Sequence, residues 1–218
     1  QFTVSSVSES AMSIRPIKLQ SGTTPTMEGA GVHLHRVFGF GDTDMFDPFL
    51  MMDDFRNDDP EQYLKGFPWH PHRGIETITY VLKGNVEHAD SLGNKGVLSD
   101  GDVQWMTAGS GIIHQEMPTG NAAGQMHGFQ LWANLPRDQK MCTPRYQDVK
   151  SVDIASLTDD DGTNIRVIAG DYRGYRGPVD GIDTDPIYLD IAIPANSTRR
   201  FPFDTRRQGF AYIFEGSA

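Results

Sequence analysis

A single cysteine, Cys142, stands among 218 residues. No disulfide can form within the chain, and no cysteine-based zinc site can be built. Cys142 lies in Met-Cys-Thr-Pro, a loop-like context, and is read as an inert thiol. Long apolar runs are also missing. No stretch approaches the roughly 20 residues that a membrane helix needs, and residues 1–12 are polar and Ser-rich with no apolar signal core. A frayed polar tail and a reducing, cytoplasmic setting are expected, with the nucleus added in a eukaryote. Basic residues are few: 19 Lys and Arg against 29 Asp and Glu, a formal net charge of -10. Direct nucleic-acid binders usually carry a basic face. The nearest approach to one, Arg199-Arg200 with Arg206-Arg207, is broken by Phe201, Phe203 and Asp204 and reads as solvated. Neither nucleic acid nor membrane is expected as a direct partner.

Hydrophobic residues make up 38% of the chain, with 12 Phe and 3 Trp, enough for a real core. The 23 Gly and 13 Pro are scattered between short apolar runs. Turns recur every 8–12 residues, a spacing that predicts an all-β sandwich or barrel. Strands are expected around residues 32–36, 48–52, 75–82, 86–89, 97–98, 103–106, 112–117 and 129–135. Residues 136–163 read as a connector holding the best helix or 3-10 candidates, near 149–157. A second β-rich stretch follows at 165–169, 187–193 and 210–214. Tyr80-Val-Leu-Lys-Gly84 resembles Tyr212-Ile-Phe-Glu-Gly216 at an offset of 132 positions. That offset pairs His70 with Pro202, His72 with Asp204 and Glu76 with Gln208, so the second copy lacks ligands. The domain reading is a metal-binding N-terminal unit over 1–135, the connector at 136–163, and a partial C-terminal unit over 164–218 without a metal site. An unfinished second sheet would expose a pairing edge, so a homodimer or a covering element is expected there.

The chemistry concentrates in two pairs. In a strand, residues i and i+2 share a face, so His70-Pro71-His72 presents two imidazoles on one side. After forty-one intervening residues, His114-Gln115-Glu116 presents an imidazole and a carboxylate in the same way. Two adjacent strands could bring His70, His72, His114 and Glu116 to one point inside a barrel. Three nitrogens and one oxygen suit Fe(II), Mn(II), Ni(II), Cu(II) or Zn(II). Four ligands leave coordination positions open, the mark of a catalytic metal. His33-Leu34-His35 has the same spacing but no acidic partner, and Val32 and Leu34 are the better inward residues. His88 beside Asp90 is read as structural, with a pocket-lining role as the alternative. His127 is read as structural, Trp105 and Met106 as core, and Arg73 as facing away from His72.

The run His70-Pro-His-Arg-Gly-Ile-Glu-Thr-Ile-Thr-Tyr80 resembles the first cupin motif in the form used by pirins. Gly101-Asp-Val-Gln-Trp-Met-Thr-Ala-Gly109-Ser-Gly-Ile-Ile-His114-Gln-Glu116 resembles the second. Pro48-Phe-Leu-Met-Met-Asp53 and His88-Ala-Asp90-Ser-Leu-Gly93 agree, and the resemblance spans roughly residues 14–216. It implies tandem cupin (bicupin) β-barrels, the second incomplete here, with one iron per chain held by His70, His72, His114 and Glu116. It also implies quercetin 2,3-dioxygenase activity on a flavonol. The rival is a metal-dependent or redox-sensing transcriptional co-regulator acting through a protein partner, and a third reading is a cupin isomerase or lyase. The general cupin pattern would take its acidic ligand from Glu76, which keeps the parity of His70 and His72 and so could face the same cavity. In the pirin pattern Glu116 takes that place, and it or a neighbouring carboxylate would accept the flavonol proton.

Overall fold

A computed structural model describes residues 14–204 and 206–217. The polar stretch at 1–12 lies outside them. The described part is all-β, as the turn spacing predicts. Its strands are β1 (Thr24–Glu28), β2 (Val32–Phe38), β3 (Phe49–Asp54), β4 (Phe67–His72), β5 (Ile75–Lys83), β6 (Val86–Asp90), β7 (Lys95–Leu98) and β8 (Val103–Thr107). They continue with β9 (Ile112–Pro118), β10 (His127–Asn134), β11 (Arg145–Val149), β12 (Ala155–Thr158), β13 (Asn164–Ala169), β14 (Asp171–Tyr172), β15 (Tyr175–Arg176) and β16 (Tyr188–Ala192). Helix is confined to one four-residue turn, Thr43–Phe46, and three short 3-10 turns. Among the described residues no helix is long and apolar enough to cross a membrane.

A seven-stranded sheet runs β1-β2-β3-β10-β5-β8-β11, and a four-stranded sheet runs β4-β9-β6-β7. The two face each other. Val32, Leu34, Phe55, Tyr63, Val81, Val86, Leu98 and Met126 pack between them as one core. A three-stranded sheet, β12-β13-β16, belongs to the C-terminal part. It helps cover the other face of the large sheet. There Ile78, Tyr80, Val103, Trp105, Phe129 and Leu131 meet Ile154, Ile168, Ala169 and Val179. The large sheet is therefore covered on both faces. That explains why β5 is buried almost throughout and does not alternate. The seam between the two parts is also polar. Tyr80 donates to Asp190 Oδ2 at 2.6 Å and accepts from Arg166 Nη1 at 2.6 Å.

Four expectations meet a different or only partial outcome. The span 136–163 carries β11, which pairs in register with β8 and extends the large sheet. Only Val149 of β11 is fully buried, so the strand shows no alternation to read. Of the helix or 3-10 candidates at 149–157, the 3-10 turn Ser151–Asp153 forms and no α-helix does, with β12 following at once. Residues 210–214 form no strand. Instead Tyr212 and Phe214 cap Phe129 edge-on, at 5.7 and 5.2 Å between ring centroids. Aromatic alternation there reflects side-chain packing on a sheet without ladder pairing to it. The arginines read as solvated are mostly paired: Arg199 with Asp159 and Asp161, Arg206 with Asp204, and Arg207 with Asp185.

Candidate metal centre

Strands β4 and β9 are antiparallel neighbours, and their register sets His70 directly opposite His114. With His72 two residues along β4, three imidazoles meet on the inner face of the small sheet. One ligand nitrogen from each of His70, His72 and His114 lies within 4.8 Å of the others. His70 Nε2 and His72 Nε2 are 3.0 Å apart. His70 Nδ1 sits 2.8 Å from the Pro68 carbonyl, which can only accept. Nδ1 therefore carries a hydrogen, and Nε2 is the nitrogen turned toward the other histidines. Both nitrogens of His114 are buried without a hydrogen-bond partner. Buried polar atoms are nearly always satisfied, so a partnerless His114 among converging imidazoles fits a divalent transition metal.

The rings are held in the form a metal needs. Burial, then the neighbouring His114 and His70, pushes the His72 pKa down to about 3. Burial also lowers that of His114, against the opposing pull of Glu116. Neutral imidazole is the ligating species.

Glu116 faces the same interior but stands outside the three-histidine cluster. Its Oε2 accepts from Gln130 Nε2 at 2.9 Å. Its Oε1 lies 2.7 Å from Thr79 Oγ1, and that hydroxyl also lies 2.6 Å from Gln130 Oε1, so one hydrogen serves two acceptors. Glu76 does not share this interior. The turn at Gly74, whose φ of +69° favours glycine, passes the chain from the small sheet to the large one. The i, i+2 parity of β4 therefore does not carry into β5. On β5, Thr79 faces inward and Glu76 lies with Ile78 and Tyr80 on the outer face. Thr107 donates to Glu76 Oε1 at 2.7 Å, and burial raises the carboxyl's pKa against the opposing pull of that bond.

The remaining sequence candidates separate clearly. His33 and His35 are exposed and Arg73 points to solvent, while Val32 and Leu34 are buried, all as expected. Trp105 and Met106 are core. His127 accepts from Arg56 at 2.8–3.1 Å on the outer face and is structural; burial lowers its pKa to about 4. His88 is buried directly across from Glu116, beside Gln104 at 3.1 Å.

Beside the triad opens a cavity of about 490 Å³, within the range of small-molecule sites. Its aromatic lining includes Phe40, Phe67, Trp69 and Trp132. Trp132 lies edge-on to His72 at 4.9 Å and to Phe40 at 5.8 Å. A polar row crosses the inner face of the large sheet in register. Arg36 is opposite Asp53, Asp53 opposite Gln130, Gln130 opposite Thr79, and Thr79 opposite Gln104. Sequence reading missed this row. One clue was legible: Arg36 shares the parity of Val32 and Leu34, a charge on an inward face.

The family model described as Pirin matches residues 31–133. A pirin-like protein of Caulobacter vibrioides is 45% identical over 207 residues, covering 94% of this chain and 74% of that protein. Two crystal structures from Acinetobacter baumannii, each named as a quercetin 2,3-dioxygenase, share the fold. One is 34% identical with a TM-score of 0.63, over 74% of this chain and 60% of that one. The other is 26% identical with a TM-score of 0.70, over 84% of this chain and 60% of that one. The chain thus spans about three fifths of each solved relative. Matching motifs, register and fold lead to one conclusion: this chain belongs to the pirin family.

Proposed function

We propose that the chain carries the metal centre of a pirin-type cupin, one iron held by His70, His72, His114 and Glu116, and acts as a quercetin 2,3-dioxygenase on a flavonol. The observation that carries this reading is the convergence of three imidazoles, those of His72 and His114 buried, on the wall of an aromatic-lined cavity. The names of the Acinetobacter baumannii relatives support the substrate.

When bound, the metal would acidify the coordinated flavonol hydroxyl and supply the redox chemistry with O₂. The chain does the rest. Phe40, Trp69 and Trp132 offer faces and edges to a planar ring system and exclude water from one side of the site. Glu116, bonded to Thr79 and Gln130, faces the same interior as the triad. There it would serve as the fourth ligand, and it or a neighbouring carboxylate would take the hydroxyl proton. The pinned tautomer of His70 orients Nε2 before any metal arrives. Turning the unpaired lone pairs of the triad toward one cation removes the cost of burying them unsatisfied.

The test is anaerobic loading with Fe(II), then oxygen uptake with quercetin. Quercetin-dependent uptake that disappears in His114→Ala is the expected outcome. An iron-loaded protein that consumes no oxygen with quercetin would refute the dioxygenase assignment while leaving the metal site standing.

A further inference from the structure

The cavity has a second polar feature besides the histidines. Arg36 and Asp53 sit in its wall, one strand apart and directly opposite in register. Arg36 donates to Asp53 through Nε and Nη2, both at 2.9 Å, and through Nη2 to Glu28 at 2.9 Å. Asp53 is only 3% exposed. Burying an ion pair is weak as a source of stability, and apolar replacements are often neutral or better. This pair lies in the cavity wall beside Leu34, Met51, Phe55 and Trp132, where a ligand can meet it.

Its chemistry is specific. Among the described residues nothing engages Arg36 Nη1, so that nitrogen has hydrogens to donate. Asp53 oxygens each have a lone pair beyond the bond from Arg36. A donor and an acceptor therefore stand side by side. Two carboxylates, Asp53 and Glu28, surround one guanidinium, so the local charge disfavours an anionic ligand group. A neutral hydroxyl, which both accepts and donates, matches. Position completes the argument. Trp132, which lies edge-on to His72, stands on β10, two strands from Arg36 on β2, about 10 Å at the spacing of neighbouring strands. A ligand seated at the triad in this cavity meets Arg36 and Asp53 with its far end.

We propose that Arg36 and Asp53 form a hydroxyl-recognising subsite, so that the preferred substrate is a flavonol hydroxylated at the end remote from the metal. This rests on the flavonol reading above and adds the selectivity among flavonols. Arg36 determines specificity and is not a metal ligand.

The experiment compares quercetin, hydroxylated on both outer rings, with 3-hydroxyflavone, which has only the metal-facing oxygens. Binding to the metal-loaded protein is followed anaerobically by quenching of tryptophan fluorescence, since Trp69 and Trp132 line the cavity. The wild type should bind quercetin at least about tenfold tighter, because a site built around a ligand hydroxyl discriminates against its absence. Arg36→Lys keeps a charge opposite Asp53 but spends it there and loses the fork. It should bring the two affinities together by weakening quercetin alone. Equal affinities in the wild type, or an undiminished ratio in Arg36→Lys, would overturn the subsite and leave the flavonol reading intact. Failure of both ligands to bind would remove the flavonol reading and the subsite with it. The wild-type comparison needs no variant, so it stands even if Arg36→Lys does not fold.

Discussion

Glu116 is the residue on which the metal and substrate readings meet, and its placement depends on two neighbours. Thr79 is 3% exposed and Glu116 4% exposed, so the bond between them at 2.7 Å is shielded from water. Thr79→Val keeps the shape of the side chain and removes only the hydroxyl, so no cavity forms. A hydrogen bond to a charged group is worth about 1.5–3 kcal/mol. Glu116 keeps its bond from Gln130, while the lost hydroxyl served both Glu116 and Gln130 Oε1 through one hydrogen. For a chain of this size each kcal/mol moves the melting temperature by about 2–4 °C, so a drop of roughly 3–12 °C is expected in the metal-free protein. Partners that orient a ligand typically contribute about 10–100-fold to metal affinity, and a loss in that range is expected by competition with a chelator. Gln130→Leu should act in the same direction. If neither variant changes melting or metal affinity, Glu116 is not held by these bonds, and the positioning argument is wrong.

Three further outcomes follow from the geometry. Glu76→Gln should leave metal stoichiometry unchanged while Glu116→Gln lowers metal affinity, because Glu76 faces the outer side of the large sheet; equal losses in a metal titration would contradict that separation. A methyl at Gly96 would lie 2.7 Å from His88 Nε2, and His88 is buried against Tyr146, so Gly96→Ala should cost about 1–3 kcal/mol in a denaturant melt. Burial alone would raise the pKa of Asp102, but Lys150 and the Ser99 and Ser151 amides outweigh it and hold it below the usual value. A depressed carboxyl stabilises the fold above its unfolded value of about 3.9 and loses that contribution as pH falls through the folded value. Acid melts below about pH 4 should therefore show a limb that Asp102→Asn flattens.

The convergence of the three histidines was legible because its constraint is local. Two i, i+2 pairs in strand-like text need only adjacent strands to converge, and β4 and β9 supply that with His70 opposite His114. The all-β class was legible for a similar reason, since turns at regular intervals reflect chain geometry. Relations between strands distant in sequence were not legible. The polar row of Arg36, Asp53, Gln130, Thr79 and Gln104 is assembled from five strands whose spatial order differs from their chain order. Parity also fails wherever the chain changes sheets: Glu76 reads as inward from His72, yet the turn at Gly74 resets the face. Strand β11 escaped notice because a mostly exposed edge strand carries no alternation. Residues 210–214 misled because aromatic packing on a sheet repeats the pattern of a strand.

The most direct test is the metal content of the purified chain after loading, measured against His70→Ala, His72→Ala and His114→Ala, with circular dichroism confirming that each variant keeps its sheets. One metal ion per chain in the wild type, lost or weakened by orders of magnitude in every variant, is the result expected of three converging imidazoles. A wild type that binds no metal after loading, or one whose metal survives the loss of His114, would contradict it.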